Sequence, residues 1–217
     1  MPTDGATTLL LPAQRLPRWL ENFARRHGDP AFDLDAGVLV GRAPDGAWCR
    51  VALPGGHEAT APDAADVAAQ AGALARADRG VLLVRRGGFA VALVRDGAVV
   101  ASKVGQRHVQ GRTKAGGWSQ QRFARRRDAQ ARVAGEAAAG HAARVLDGLV
   151  GPLVTGGDRA IVGEVLEDLR LGSAHPDAAV AGVVVDERFL DVPDPRRDVL
   201  DRAVVDAAAL QVVVHNG

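Results

Sequence analysis

The sequence predicts an α+β fold, a mixed sheet with helices packed on it. Three observations carry this. Residues 80–103 form three apolar runs, GVLLVRR, GGFAVALVRDG and AVVASKV, separated by Gly87-Gly88 and Asp96-Gly97. Asp-Gly between β-rich runs is a strong hairpin signal, because both central residues of that turn need positive φ. The chain beyond residue 150 then alternates short apolar runs with helical spacing, which places helices against a sheet begun by a three-strand antiparallel meander. Length and composition agree: 217 residues, 47% hydrophobic and 24% charged, suffice for one cored domain with an extension.

The elements follow in order. Residues 13–27 read as a helix, with Leu16, Trp19, Leu20 and Phe23 at three- and four-residue spacing and Gly28-Asp29-Pro30 as its stop. Residues 37–42 and 47–53 read as two strands joined by the turn Pro44-Asp45-Gly46. Cys49 falls in the second and reads as a small buried hydrophobe. Residues 63–78 are Ala-rich with helical spacing, capped by Asp63. After the meander, residues 104–118 hold four glycines and no periodicity, a length of loop that needs a functional reason. From Ser119 a helix is expected to Leu149, burying Phe123, Ala131, Ala134, Ala138, Ala142, Val145 and Leu149. Residues 151–157 read as a connector, 159–163 as a strand, 164–170 as a helix and 180–185 as a strand. Residues 195–209 read as a helix opened by Pro195, and 210–215 as the last strand.

Charge is distributed unevenly. Lys103 to Arg132 holds nine Lys or Arg against one acid, Asp128, leaving 18 basic and 25 acidic residues elsewhere in a chain whose net charge is +1. A basic segment on an acidic body faces a polyanion, since neutralising phosphates releases counterions. Both lysines of the chain, Lys103 and Lys114, and five of its eight glutamines lie here. One cysteine excludes a disulfide framework and a cysteine-rich zinc site and fits a reducing cytoplasm. His27, His57, His141, His175 and His215 show no metal-ligand spacing, and His108 reads as an incidental loop histidine, so neither metal nor cofactor is expected. No apolar run reaches the ~20 residues of a membrane span, and the N-terminus lacks the basic region of a signal peptide.

Within the basic segment stands GGWSQQRFARRRD, Gly116 to Asp128. It resembles the catalytic loop and following helix of the eukaryotic and archaeal class-1 peptide-chain release factors, in which GGQ precedes Ser, an Arg-Phe pair and a basic helix. The preceding GRTKAGG and the meander fit as well. The resemblance is greatest to the actinobacterial Vms-like release factors (VLRF), relatives of the eukaryotic factor that frees stalled chains in ribosome quality control. It implies an RNase H-like catalytic domain over 79–217, with catalytic loop 104–118. Residues 1–78 are then a branch-specific N-terminal part packed on that domain. Trp118 stands where GGQ has its glutamine. The glutamine of the VLRF branch sits further on, which points to Gln120, with Gln121 as competitor.

The resemblance implies a cytoplasmic, monomeric peptidyl-tRNA hydrolase working on stalled ribosomes, its partners the large subunit and peptidyl-tRNA. The residue types suit that chemistry. An aminoacyl ester is already activated, so hydrolysis needs an oriented water and donors for the oxyanion. Gly116 and Gly117 let backbone approach a crowded ester. A glutamine amide donates and accepts at once without charge, to water or to the terminal ribose 2′-OH. Trp118 offers a face to a nucleobase. Lys103, Arg112, Lys114, Arg122, Arg125 and Arg126 are the expected phosphate contacts. Two other readings accompany this one: an endonuclease cutting the tRNA near its 3′ end, and a non-catalytic RNA- or ribosome-binding module.

Overall fold

The computed structural model describes residues 5–106, 135–170, 180 and 183–217. They form two sheets with helices, an α+β architecture, in two compact units. The first comprises residues 1–77 and 205–217, the second 78–204.

The first unit is built on a five-stranded antiparallel sheet. Its strands are β1 (Thr7–Leu11), β2 (Ala31–Asp35), β3 (Val38–Arg42), β4 (Trp48–Ala52) and β10 (Leu210–His215), in the order β1-β10-β4-β3-β2. The last strand, expected within 79–217, therefore pairs with both β1 and β4. Helices α1 (Leu16–His27) and α2 (Ala64–Arg76) supply the rest of the core. Leu16, Leu20 and Phe23 of α1 and Val67 and Ala71 of α2 bury against Leu39, Cys49, Val51, Leu210 and Val212. Asp63 caps α2 as its position predicts, accepting from the backbone N–H of Ala65 and Asp66. The turn before β4 is held by Asp45, which accepts from the Ala47 N–H at 2.9 Å and meets the buried His27 Nδ1 at 2.7 Å.

Two strands of this sheet have no counterpart in the sequence-based expectation. β1 contains Leu9-Leu10-Leu11, whose partner lies at the far end of the sequence. β2 turns into β3 through Ala36 and Gly37, both at positive φ. Alanine is a poor marker for that conformation, so the hairpin carries no Asn-Gly or Asp-Gly signature. Cys49 is fully buried, and burial raises its thiol to about 11. The folded protein should therefore resist iodoacetamide at pH 8, whereas the urea-unfolded chain reacts; equal rates in both states would contradict this packing.

The second unit carries the meander β5 (Arg79–Arg85), β6 (Gly88–Arg95) and β7 (Ala98–Gln106), antiparallel throughout. Asp96 and Gly97 take φ of 47° and 74°, as their Asp-Gly hairpin requires. Strands β8 (Pro152–Gly157) and β9 (Val184–Leu190) continue the sheet parallel to β5, giving the order β7-β6-β5-β8-β9. On one face, Leu82, Val84, Phe89, Val91 and Leu153 pack against helix α3, described over 135–145, and α4 (Arg159–Arg170). Within the long helix expected from Ser119, Ala138 and Ala142 are buried as predicted, while the described helix ends at 145, and 119–134 lie outside the described residues. Helix α5 begins in this unit and ends in the first, spanning Arg197–Ala207.

Residues 159–163, expected as a strand, are the first turn of α4. Asp158 caps it, accepting from Ala160 N at 3.1 Å, and Ile161, Val162, Val165 and Leu169 bury on a helical stripe. A short apolar run alone does not separate strand from helix. The strand lies instead in the expected connector, as β8. Leu153, Val154 and Thr155 are buried there on both faces of the sheet, and so show no alternation. The 180–185 strand is displaced to Val184–Leu190.

Candidate nucleic-acid interface

The basic segment hangs from one end of the second sheet. β7 leaves the sheet at Gln106, which pairs with Gly88 at the β5–β6 hairpin. At the same end Val84 pairs with Gly157 and Gly156 with Leu190, so β5, β8 and β9 all finish there. The shelf is tightly built. Gly157 has φ +103°, and a Cβ there would lie 2.2 Å from the Val84 carbonyl oxygen, so only glycine fits. Asp158 N–H donates to that same oxygen at 2.8 Å. The Arg159 guanidinium lies 4.0 Å over the Phe189 ring.

Of the residues expected to act, Lys103 is described. It is exposed on β7 and shares its side of the strand with Gly105. Gln120, Gln121, Gly116, Gly117, Arg112, Lys114, Trp118, Arg122, Arg125 and Arg126 lie outside the described residues. What the fold supplies is the frame that receives both ends of their segment, β7 before it and α3 after it.

That frame holds a group of side chains not singled out from the sequence. Phe89 of β6 stands opposite Gly105 of β7, and its ring stacks on His141 of α3 with centroids 5.3 Å apart and planes 23° apart. Arg144, one turn on, donates to His141 Nδ1 at 3.0 Å. Burial, then the positive charges of Arg144 and Lys103, push the imidazole below its ordinary value. His-x-x-Arg on a helix is the one trace of this in the sequence, since i and i+3 share a face. Gly105 makes the stack possible: a Cβ there would lie 2.3 Å from the Phe89 ring. Gly105→Ala should lower the urea midpoint by the equivalent of about 1–3 kcal/mol of overpacking. An unchanged midpoint would show that Phe89 is free to move.

Among the described residues no group of three or more His, Cys, Asp or Glu is placed to hold a metal ion. No described helix is long and apolar enough to cross a membrane.

Residues 77–213 match a family of release factors, which sets the class of the protein. The match covers more than half of the chain, and the protein belongs to the family described as Actinobacteria/chloroflexi VLRF1 release factor. Among solved structures the chain is similar to Archaeoglobus fulgidus Pelota, with 15% sequence identity and a TM-score of 0.26. That alignment covers 93% of this chain and 63% of the Pelota chain, so the protein spans less than two thirds of that relative. No curated protein sequence matches it.

Proposed function

We propose that this release factor is a ribosome-associated peptidyl-tRNA hydrolase that frees nascent chains from stalled ribosomes in the cytoplasm. The observation that carries the reading is family membership over 77–213, which takes in the segment Gly116-Gly117-Trp118-Ser119-Gln120-Gln121-Arg122-Phe123. The mixed sheet β7-β6-β5-β8-β9, with β5, β6 and β7 antiparallel and β8 and β9 parallel to β5, supports a catalytic unit that this reading takes as RNase H-like. In this reading residues 1–78 are an addition of this branch, and the protein works as a monomer on the large subunit.

In the reaction, water adds to the ester carbonyl and the bond to the ribose 3′ oxygen breaks. That oxygen takes up a proton, giving a peptide carboxylate and a tRNA with a free 3′ hydroxyl. Gln120 orients the water or the ribose 2′-OH, with Gln121 as its neighbouring competitor. Gly116 and Gly117 admit the loop to the ester and aim backbone N–H groups at the oxyanion. Trp118 stacks on the terminal base. Lys103, Arg112, Lys114, Arg122, Arg125 and Arg126 hold phosphates.

The test is to add the protein to purified stalled ribosome–nascent chain complexes and to resolve peptidyl-tRNA from free peptide on a gel. The reading predicts that the peptidyl-tRNA band is lost. A band that persists while the protein co-sediments with ribosomes would leave a binding module and contradict hydrolysis.

A further inference from the structure

We propose that Lys103, His141 and Arg144 form an RNA phosphate site at the root of the basic segment. The inference rests on the reading of the protein as an RNA-directed release factor and adds to it a phosphate site built on the sheet and helix.

The geometry assigns the proton first. A guanidinium only donates, so Arg144 at 3.0 Å makes His141 Nδ1 the acceptor. The ring hydrogen then sits on Nε2. The ring is held by its stack on Phe89, which the missing side chain of Gly105 admits. His141 is half-buried and Lys103 and Arg144 are exposed; among the described residues neither cation has an ion-pair partner. The charges acting on the imidazole are Arg144 from its own helix and Lys103 from β7, both positive; β6 presents the uncharged Phe89.

Two cations flank the ring with no anion beside them among the described residues. A phosphodiester can accept the Nε2–H on one oxygen and meet a cation with the other. RNA is favoured over an isolated anion because the chain between 107 and 132 carries eight further Lys or Arg, a charge that suits a polyanion. The bound phosphate reverses the field on His141. An imidazole that two cations keep neutral gains a negative neighbour and takes up a proton more readily, on Nδ1, as Arg144 turns from the ring to the phosphate. Affinity therefore rises as pH falls through the interval between the lowered free value and the raised bound one.

The experiment uses the full chain with labelled histidines and an RNA duplex of acceptor-stem length, followed by NMR. His141→Gln assigns the resonance. In the free protein His141 should titrate below the ordinary histidine value, and RNA should raise it by about 1 unit or more. Lys103→Gln with Arg144→Gln should abolish that rise and reduce the salt slope of RNA binding by about 0.7–0.9 for each phosphate no longer neutralised. A dispersed spectrum for the double variant shows that it is folded. RNA binding that leaves His141 unmoved overturns the site, and so does an equal rise with polyglutamate. Peptide release by the wild-type protein separates the two claims. Release with a silent His141 refutes only the site, whereas a responsive His141 without release upholds the site and refutes hydrolysis.

Discussion

Gln120→Ala should slow peptide release from stalled ribosomes by one to three orders of magnitude while leaving ribosome binding in place. Losing one preorganised hydrogen bond to a water or developing oxyanion costs roughly 2–4 kcal/mol of transition-state stabilisation. Binding should survive because, in the proposed reading, phosphates are held by other side chains, among them Lys103 on β7. The fold should survive because replacing a polar amide by a methyl group removes no apolar packing. Gln121→Ala is the internal control and should be mild. If instead Gln121→Ala abolishes release, the register shifts by one and the chemistry stands. Wild-type rates in both single variants and in the double variant would refute a glutamine-oriented water.

A chain ending at Ala209 should lose its first unit altogether. β10 is an inner strand, paired over Leu210–Val214 with β1 on one side and over Gln211–His215 with β4 on the other. Leu210, Val212 and Val214 are all buried in that unit's core. Each such side chain contributes about 1.5–3 kcal/mol on burial, so their joint loss rivals the ~5–15 kcal/mol stability of a whole domain. The truncation also leaves β1 without a partner strand. Limited proteolysis should then digest residues 1–77 rapidly, and Val212→Asp should act in the same direction. Unchanged protection of residues 1–77 in the truncated chain would contradict the strand order.

The meander was legible because its signals are local. Asp96-Gly97 specifies its turn, and unbroken apolar runs fill β5 and β6, which are buried on both faces. The membership of β10 was not, because strand pairing between residues 7–11 and 210–214 leaves no mark in either segment alone. β8 was hidden by its glycines: Gly156 and Gly157 read as a linker, yet they are there because the Leu190 and Val84 carbonyls come within 2.6 and 2.2 Å of where a Cβ would stand. At the candidate site, spacing and charge picked out the segment and Lys103. They did not pick out His141. Its role depends on a ring from β6, a gap at Gly105 and a guanidinium one turn along α3 meeting at one place, and only the fold brings them together.

The most direct measurement is of the tRNA left behind. After release from a stalled complex, the tRNA is recovered and its 3′ end mapped at nucleotide resolution, and its ability to be charged again is tested. Hydrolysis of the ester predicts a full-length tRNA ending in its terminal adenosine with a free hydroxyl, ready to be recharged. A tRNA shortened at its 3′ end, with the missing nucleotides carried off on the peptide, would contradict hydrolysis and make the protein a nuclease.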